Sequence, residues 1–176
     1  MKLLCGQMLG SLATWLRFMG FDTFYATDQM GDDELMQIAK DEDRFLITQD
    51  KELIFRARKR DILVISIYST DLDEQLRSVI SKMVVDIEQI LSRCSLCNNH
   101  IIPIKKEEIK KRVPVKAYQN QSQFWLCHQC NKIYWRGSHC DQILKKILSF
   151  QKWVIISFYI CFLHQKMQCL HILLEF

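Results

Sequence analysis

Proline and glycine are scarce, with two prolines and five glycines in 176 residues. That scarcity excludes a collagen-like or Pro/Gly-rich low-complexity chain, and no internal repeat is visible. Long apolar runs are missing too. A bilayer span needs about 20 apolar residues, whereas WVIISFYICFL stops after 153–163, and His164, Gln165, Lys166 and Gln168 separate it from CLHILL. Membrane contact by this C-terminal tail is therefore not expected. A disulfide framework is absent as well: of eight cysteines, four fall into two C-x-x-C pairs and the rest are scattered singly. Thiols kept free in this way imply a reducing compartment, so cytoplasm or nucleus is expected. Lys2 followed by LLCGQMLGSLATWL loosely resembles a signal peptide. Gln7 interrupts its apolar stretch and the apolar positions have helical spacing, so export is not expected.

What is present divides unevenly. The whole chain carries +4, but residues 1–91 hold 11 Lys/Arg against 16 Asp/Glu, while residues 92–149 hold 11 against 3. An acidic part joined to a basic part suggests cation binding in one and a polyanion partner for the other. The acidic part alternates β-prone runs at 1–5, 21–26, 44–48 and 62–67 with helical patterns. Met8, Leu9, Leu12, Trp15, Leu16 and Met19 share one helical face, and Gly20 supplies a stop. Further helices are expected over about 33–41, 51–59 and 71–83, with Asp32 and either Thr70 or Asp71 as caps. This alternation predicts a three-layer α/β domain with a mainly parallel sheet over 1–91. Residues 92–143 read as a β-hairpin-and-loop module too small to fold on hydrophobic burial alone, and 144–176 as an atypical hydrophobic tail.

Cys94, Cys97, Cys127 and Cys130 offer four thiolates in two knuckles. A two-residue gap lets both sulfurs of a turn reach one ion, and zinc accepts tetrahedral sulfur ligation at about 2.3 Å. Four ligands close the site, so the expected zinc is structural. Four thiolates around a dication carry −2, and Arg93, Lys132 and Arg136 are expected to soften that charge. Cys140 reads as a helix-packing thiol and Cys5 as core.

Functional groups of an open parallel sheet collect beyond the carboxyl ends of its strands. Asp50 follows the strand RFLIT by two residues, and Asp32 with Asp33 opens the helix after the second strand. Each has an ordinary explanation as a helix cap. Together they could hold magnesium or manganese, which need hard oxygen ligands.

The segments MKLLCGQMLGSLATWLRFMGFDT, DDELMQIAK, RFLITQDKEL, SRCSLCN and RVPVKAYQNQSQFWLCHQCNKIYWRGSH resemble the Mut-seven carboxy-terminal RNase domain family, over about residues 1–143. The resemblance implies a PIN-like α/β domain followed by a β-rich zinc ribbon, with metal-dependent RNA cleavage by carboxylates at strand ends. It implies catalytic roles for Asp32, Asp33 and Asp50, structural zinc on the four cysteines, magnesium or manganese if the site is active, and no small-molecule cofactor. One departure stands out. Where the family carries an acidic residue after the first strand, in a pattern like LCDxMLGRLARWLR, this chain has Gly6, with Ser11 and Thr14 in place of two arginines. Trp15, Leu16 and Arg17 remain.

Two-metal hydrolysis needs ligands that neutralise two close dications, and Cys5 is no substitute, because a soft thiolate holds magnesium poorly. Reduced or absent nuclease activity is therefore expected. The alternative is a non-catalytic RNA-binding module with structural zinc. In either case the basic ribbon, with Tyr118, Phe124, Trp125, Tyr134 and Trp135, offers cations and flat faces to RNA, about half of these aromatics being structural. An iron–sulfur carrier on the same cysteines is the weakest alternative.

Overall fold

A computed structural model describes residues 1–151; the apolar run at 153–163, Cys161 and Cys169 lie outside the described residues. The chain divides into two compact units, Met1–Gly137 and Ser138–Phe176.

The first unit opens with four parallel strands, β1 (Lys2–Cys5), β2 (Asp22–Tyr25), β3 (Arg44–Thr48) and β4 (Val64–Ser66), in the order β2-β1-β3-β4. The register pairs Cys5 with both Tyr25 and Ile47. β1 is central because Leu3, Leu4 and Cys5 are all fully buried, the unbroken apolar run of a strand covered on both faces. Helices α1 (Gly10–Phe18), α2 (Asp32–Asp41), α3 (Lys51–Lys59) and α4 (Leu72–Ile80) connect and follow the strands. Leu35, Met36 and Ala39 of α2 join Leu53 and Ala57 of α3 over Leu4 and Leu46. Strand side chains alternate between faces. The chain runs from β1 outward to β2 and then back past β1 to β3, so right-handed crossovers put α1 on the opposite face, where it packs on α4. The expected three-layer α/β arrangement is what the chain adopts.

Left-handed residues close the helices. Gly20 (φ 88°), Asp43 (φ 51°) and Asp61 (φ 58°) each follow a helix C-terminus and precede a strand. After α1, Phe21 N–H donates to Leu16 O and Gly20 N–H to Arg17 O, and after α3 the same pair of bonds joins Ile62 to Ala57 and Asp61 to Arg58. These are paired helix-terminating bonds that satisfy orphan carbonyls. At Gly20 a side chain is excluded twice, by the positive φ and by Gln89 O, which would lie 2.4 Å from an added Cβ.

Three local expectations are corrected. Met8 is not on the buried face of α1. It sits in a 3₁₀ turn (Gln7–Leu9) before the helix and is 86% exposed, while Leu9, Leu12, Leu16 and Met19 are buried. Asp32 is the first residue of α2 and not its cap, a place taken by Gly31 in extended conformation. Leu72–Ile80 is shorter than the expected 71–83, capped by Asp71, whose carboxylate accepts Glu74 N–H.

Beyond α4 come three short antiparallel strands, β5 (Ile102–Ile104), β6 (Phe124–Leu126) and β7 (Ile133–Trp135), in that order. Between β5 and β6, where a loop is expected, lies a short helix, α5 (Val115–Asn120). Phe124 and Leu126 of β6, with Ile109, are the buried apolar groups of this small sheet module. In the second unit α6 (Ser138–Gln151) includes Cys140 and sets Ile143, Ile147 and Phe150 on one stripe. No described helix is long and apolar enough to cross a membrane.

Candidate metal centre and sheet rim

Each knuckle reads C-x-x-C-N, and both asparagines are left-handed, Asn98 at φ 70° and Asn131 at φ 57°. Asparagine tolerates that conformation better than most residues. The turn lets Asn98 N–H reach Cys94 O at 3.0 Å and Cys94 N–H reach Asn99 O at 2.8 Å, with Cys127 N–H donating to Lys132 O in the second knuckle. The four Sγ atoms lie within 4.8 Å of one another, the closest pairs being Cys97–Cys127 at 3.3 Å and Cys94–Cys130 at 3.4 Å. Tetrahedral zinc with bonds of about 2.3 Å sets sulfurs about 3.8 Å apart, so spacing and donor type both fit zinc. When bound, the ion would cross-link the two knuckles.

The Tyr134 hydroxyl stands 3.1 Å from Cys94 Sγ and accepts Ser95 N–H at 3.1 Å. Burial opposes ionisation of Cys94, but the hydrogen bonds from Tyr134 and from the Cys97 and Leu96 amides outweigh it and bring its pKa down to about 6. Burial, then the neighbouring sulfurs, push Cys127 up to about 12. A dication is what allows all four thiols to ionise together.

The first knuckle is joined to the open edge of β2. Asn98 Oδ1 accepts Thr23 N–H at 2.9 Å, and Asn98 Nδ2 donates to Asp22 Oδ1 at 2.9 Å. Arg17 of α1 donates from one guanidinium nitrogen to Ser95 O (3.1 Å) and Leu96 O (2.9 Å), and from Nε to Thr23 O (3.0 Å). Burial disfavours the Asp22 carboxylate, yet hydrogen bonds from Arg44 and Asn98 and the charges of Arg44 and Arg93 hold its pKa below the ordinary value. Two of the three cations expected to soften the sulfur charge contact groups beside the knuckles. Arg93 donates to Gly20 O and Asn98 O, and Lys132 sits 5.3 Å over the Tyr134 ring.

The carboxyl rim is a separate place. Strand order reverses at β1 and β3, so the crevice between their carboxyl ends is where open α/β sheets bind ligands. Gly6 follows β1 and donates to Ile47 O at 2.9 Å. Opposite it, Thr48 ends β3, and its Oγ1 accepts Asp50 N–H at 3.1 Å. A Cβ on Gly6 would meet Thr48 Oγ1 at 3.5 Å. Gln7 donates from Nε2 to Thr27 O and Met30 O, tying down the loop that leads into α2. Gln49 and Gln75 both donate to Ser69 O, fixing the loop after β4.

Asp50 caps α3, one oxygen accepting Glu52 N–H (2.7 Å) and Leu53 N–H (3.0 Å). Asp32 and Asp33 converge on Arg56, at 3.0 and 2.8 Å, and Asp33 also meets Arg60 at 2.9 Å. The Arg60 hydrogen bond first, then Arg56, keeps the Asp33 carboxyl below its usual range. Arg56 is six residues past Asp50, about 9 Å along the helix, so the two acidic groups address different stretches of α3. Among the described residues, the cysteines are the one group of three or more His, Cys, Asp or Glu side chains able to share an ion. Sequence reasoning missed Tyr134 and Arg17 as supports of the knuckle. The repeated C-x-x-C-N would have pointed to the asparagines, whereas nothing local marks a residue 78 positions away.

An open parallel sheet with a crevice at its strand-order reversal, its edge capped by a tetrathiolate ribbon, defines a PIN-like α/β domain with a zinc ribbon. Residues 1–147 match the Mut7-C RNAse domain, and the chain belongs to that family of nuclease-type domains. No curated protein and no solved structure gives a significant match to the chain.

Proposed function

We propose that this chain is an RNA-directed, divalent-metal-dependent ribonuclease-type protein whose cleavage is weakened at its own centre. An RNase body over 1–91 would act with a ribbon over 92–143 that contacts the polynucleotide. The observation that carries this reading is Gly6. It stands at the head of the crevice, against Thr48 and beside the strand end that leads to Asp50, where a carboxylate would bridge β1 and β3. Asp50, with one oxygen not engaged by the α3 amides, would hold magnesium or manganese at the crevice, and the Asp32/Asp33 pair could hold an ion only as a separate site farther along α3. Such an ion supplies Lewis-acid stabilisation of the phosphoryl oxygens and a water of lowered pKa. The chain's part is to hold those carboxylates ionised, which Arg56 and Arg60 favour at Asp33. Cytoplasm or nucleus is the fitting compartment for its free thiols.

Manganese-dependent cleavage of single-stranded RNA by the purified chain tests this. Weak cleavage is expected, abolished in Asp50→Asn with the fold retained. Activity that survives Asp50→Asn would remove the rim from the mechanism.

A second reading, an RNA-binding protein without catalysis, is favoured by the ion pairs of Asp32 and Asp33 with Arg56 and Arg60. These pairs compete with any cation for the same oxygens. Under both readings the ribbon binds RNA through its net charge, with Lys105, Lys110, Lys111 and Lys116 exposed. Affinity for single-stranded RNA is expected to fall with salt by about 0.7 log units per decade for each phosphate contacted. A slope near zero would rule out the ribbon as an electrostatic RNA contact.

A further inference from the structure

Arg17 is 7% exposed, yet its hydrogen-bond partners are three backbone carbonyls, those of Thr23, Ser95 and Leu96. Among the described residues no carboxylate pairs with it. Arg44, buried to the same degree, shows the ordinary solution, with Asp22 at 2.7 Å and Glu42 at 2.7 Å. A buried guanidinium without an opposing charge is strongly destabilising, so the charge that balances Arg17 has to be found nearby.

Two neighbours can be set aside. Cys5 is fully buried, and burial pushes its pKa to about 12, so it remains a neutral thiol. Asp22 is shared with Arg44, Asn98 and Arg93, and its pull on Arg17 ranks below those of Cys94 and Cys97. What remains is the knuckle itself, because both carbonyls that Arg17 grips lie between Cys94 and Cys97. Carbonyls drawn toward α1 leave the Leu96 and Cys97 amides turned to the sulfur of Cys94, where they favour its thiolate.

We infer that Arg17 is the counter-cation of the tetrathiolate centre, a positioning residue supplied by the α/β body that sets how tightly the ribbon holds zinc. The inference rests on reading the four cysteines as a zinc site. One positive charge offsets half of the −2 carried by a dication with four thiolates, and the same guanidinium orients the amides around Cys94. The coupling runs both ways, since a group that raises zinc affinity is itself stabilised when zinc binds. Zinc occupancy thereby braces α1 and the edge of β2, through the Arg17–Thr23 bond.

The test uses the full chain and chelator competition for zinc, preceded by elemental analysis of the wild type. Absence of zinc there would overturn the zinc reading itself, separately from the role of Arg17. Arg17→Gln keeps an amide donor and loses the charge, while Arg17→Lys keeps the charge. The glutamine variant is expected to lose about 10- to 100-fold in zinc affinity, the usual effect of removing an outer-shell partner, and the lysine variant to recover most of it. A residue that merely braces the fold would weaken apo and zinc-loaded forms equally and leave affinity unchanged, which would overturn the inference. Equal losses in both variants would also overturn it, by assigning the effect to guanidinium shape and not charge. The wild type gives a reading that needs no variant: chelation is expected to speed exchange of the Arg17 Nε proton, and unaltered exchange would count against the role.

Discussion

Gly6→Asp is expected to create divalent-metal binding at the sheet rim and to raise RNA cleavage by at least about a hundredfold. Position 6 can accept the change. Its φ of −62° and ψ of 163° suit any L residue, and an added Cβ would find Thr48 Oγ1 at 3.5 Å and Ile47 O at 3.6 Å, both ordinary contacts. The new carboxylate would stand between the carboxyl ends of β1 and β3, on the rim that already carries Asp50. Ligand charge there neutralises the cation and the phosphate oxygens it polarises, an effect worth several kcal/mol in the transition state, and each 1.36 kcal/mol is about tenfold in rate. Calorimetry with manganese and cleavage of single-stranded RNA read the two consequences separately. Should Gly6→Asp alter neither, with Asp50→Asn equally silent, the rim has no catalytic inheritance and the RNA-binding reading stands alone.

Removing zinc, by a strong chelator or by Cys97→Ser, is expected to unfold the ribbon while most of the α/β body stays folded. The ribbon buries few apolar groups, chiefly Ile109, Phe124 and Leu126, each worth about 2 kcal/mol, and its strands are three residues long. Structural zinc in comparably small modules supplies about 10 kcal/mol or more, so the ion decides whether these residues order. The body has its own core in Leu3, Leu4, Leu12, Leu16 and Leu46, all fully buried. Hydrogen exchange should show amides of β5–β7 losing protection together. Thr23 N–H should follow them, because its acceptor is Asn98 in the first knuckle. Strands β5–β7 that keep their protection in zinc-free protein would show that packing alone holds the module.

The two expectations separate the four-cysteine cluster from the oxygen site proposed at the rim. The sulfur centre is complete, with four donors within 4.8 Å of one another and a tyrosine hydroxyl on Cys94. The proposed oxygen site at the rim is not. Its first position is a glycine, one oxygen of Asp50 is held by the amides of its own helix, and Asp32 and Asp33 are engaged by arginines. A hard dication would have to displace Arg56 from Asp32 and Asp33, an exchange that costs little at an exposed site but yields little without the missing carboxylate.

Much of this was legible in the residues. Two-residue spacing between cysteines is a local property, since one turn places both sulfurs, and the four ligands could be named from it. Strand–helix alternation is equally local, and α3 spans Lys51–Lys59 as its pattern predicts. Met8 lies off the buried face because the 3₁₀ turn Gln7–Leu9 precedes α1, and periodicity does not reveal where one helix type gives way to the other. The partners of charged side chains were harder. Arg93 adjoins Cys94 in the chain, but its partners, Gly20 O, Asn98 O and Asp22, follow from packing and not from that adjacency.

Residue type and short-range spacing were enough to set the sheet-and-ribbon plan and to name the four clustered cysteines, because both are local properties of the chain. Only the tertiary structure decided that Asp32 and Asp33 answer to α3, and that Arg17 reaches across 78 residues to the first knuckle. Charges choose partners by distance in space, and that distance is set once helices have packed on the sheet.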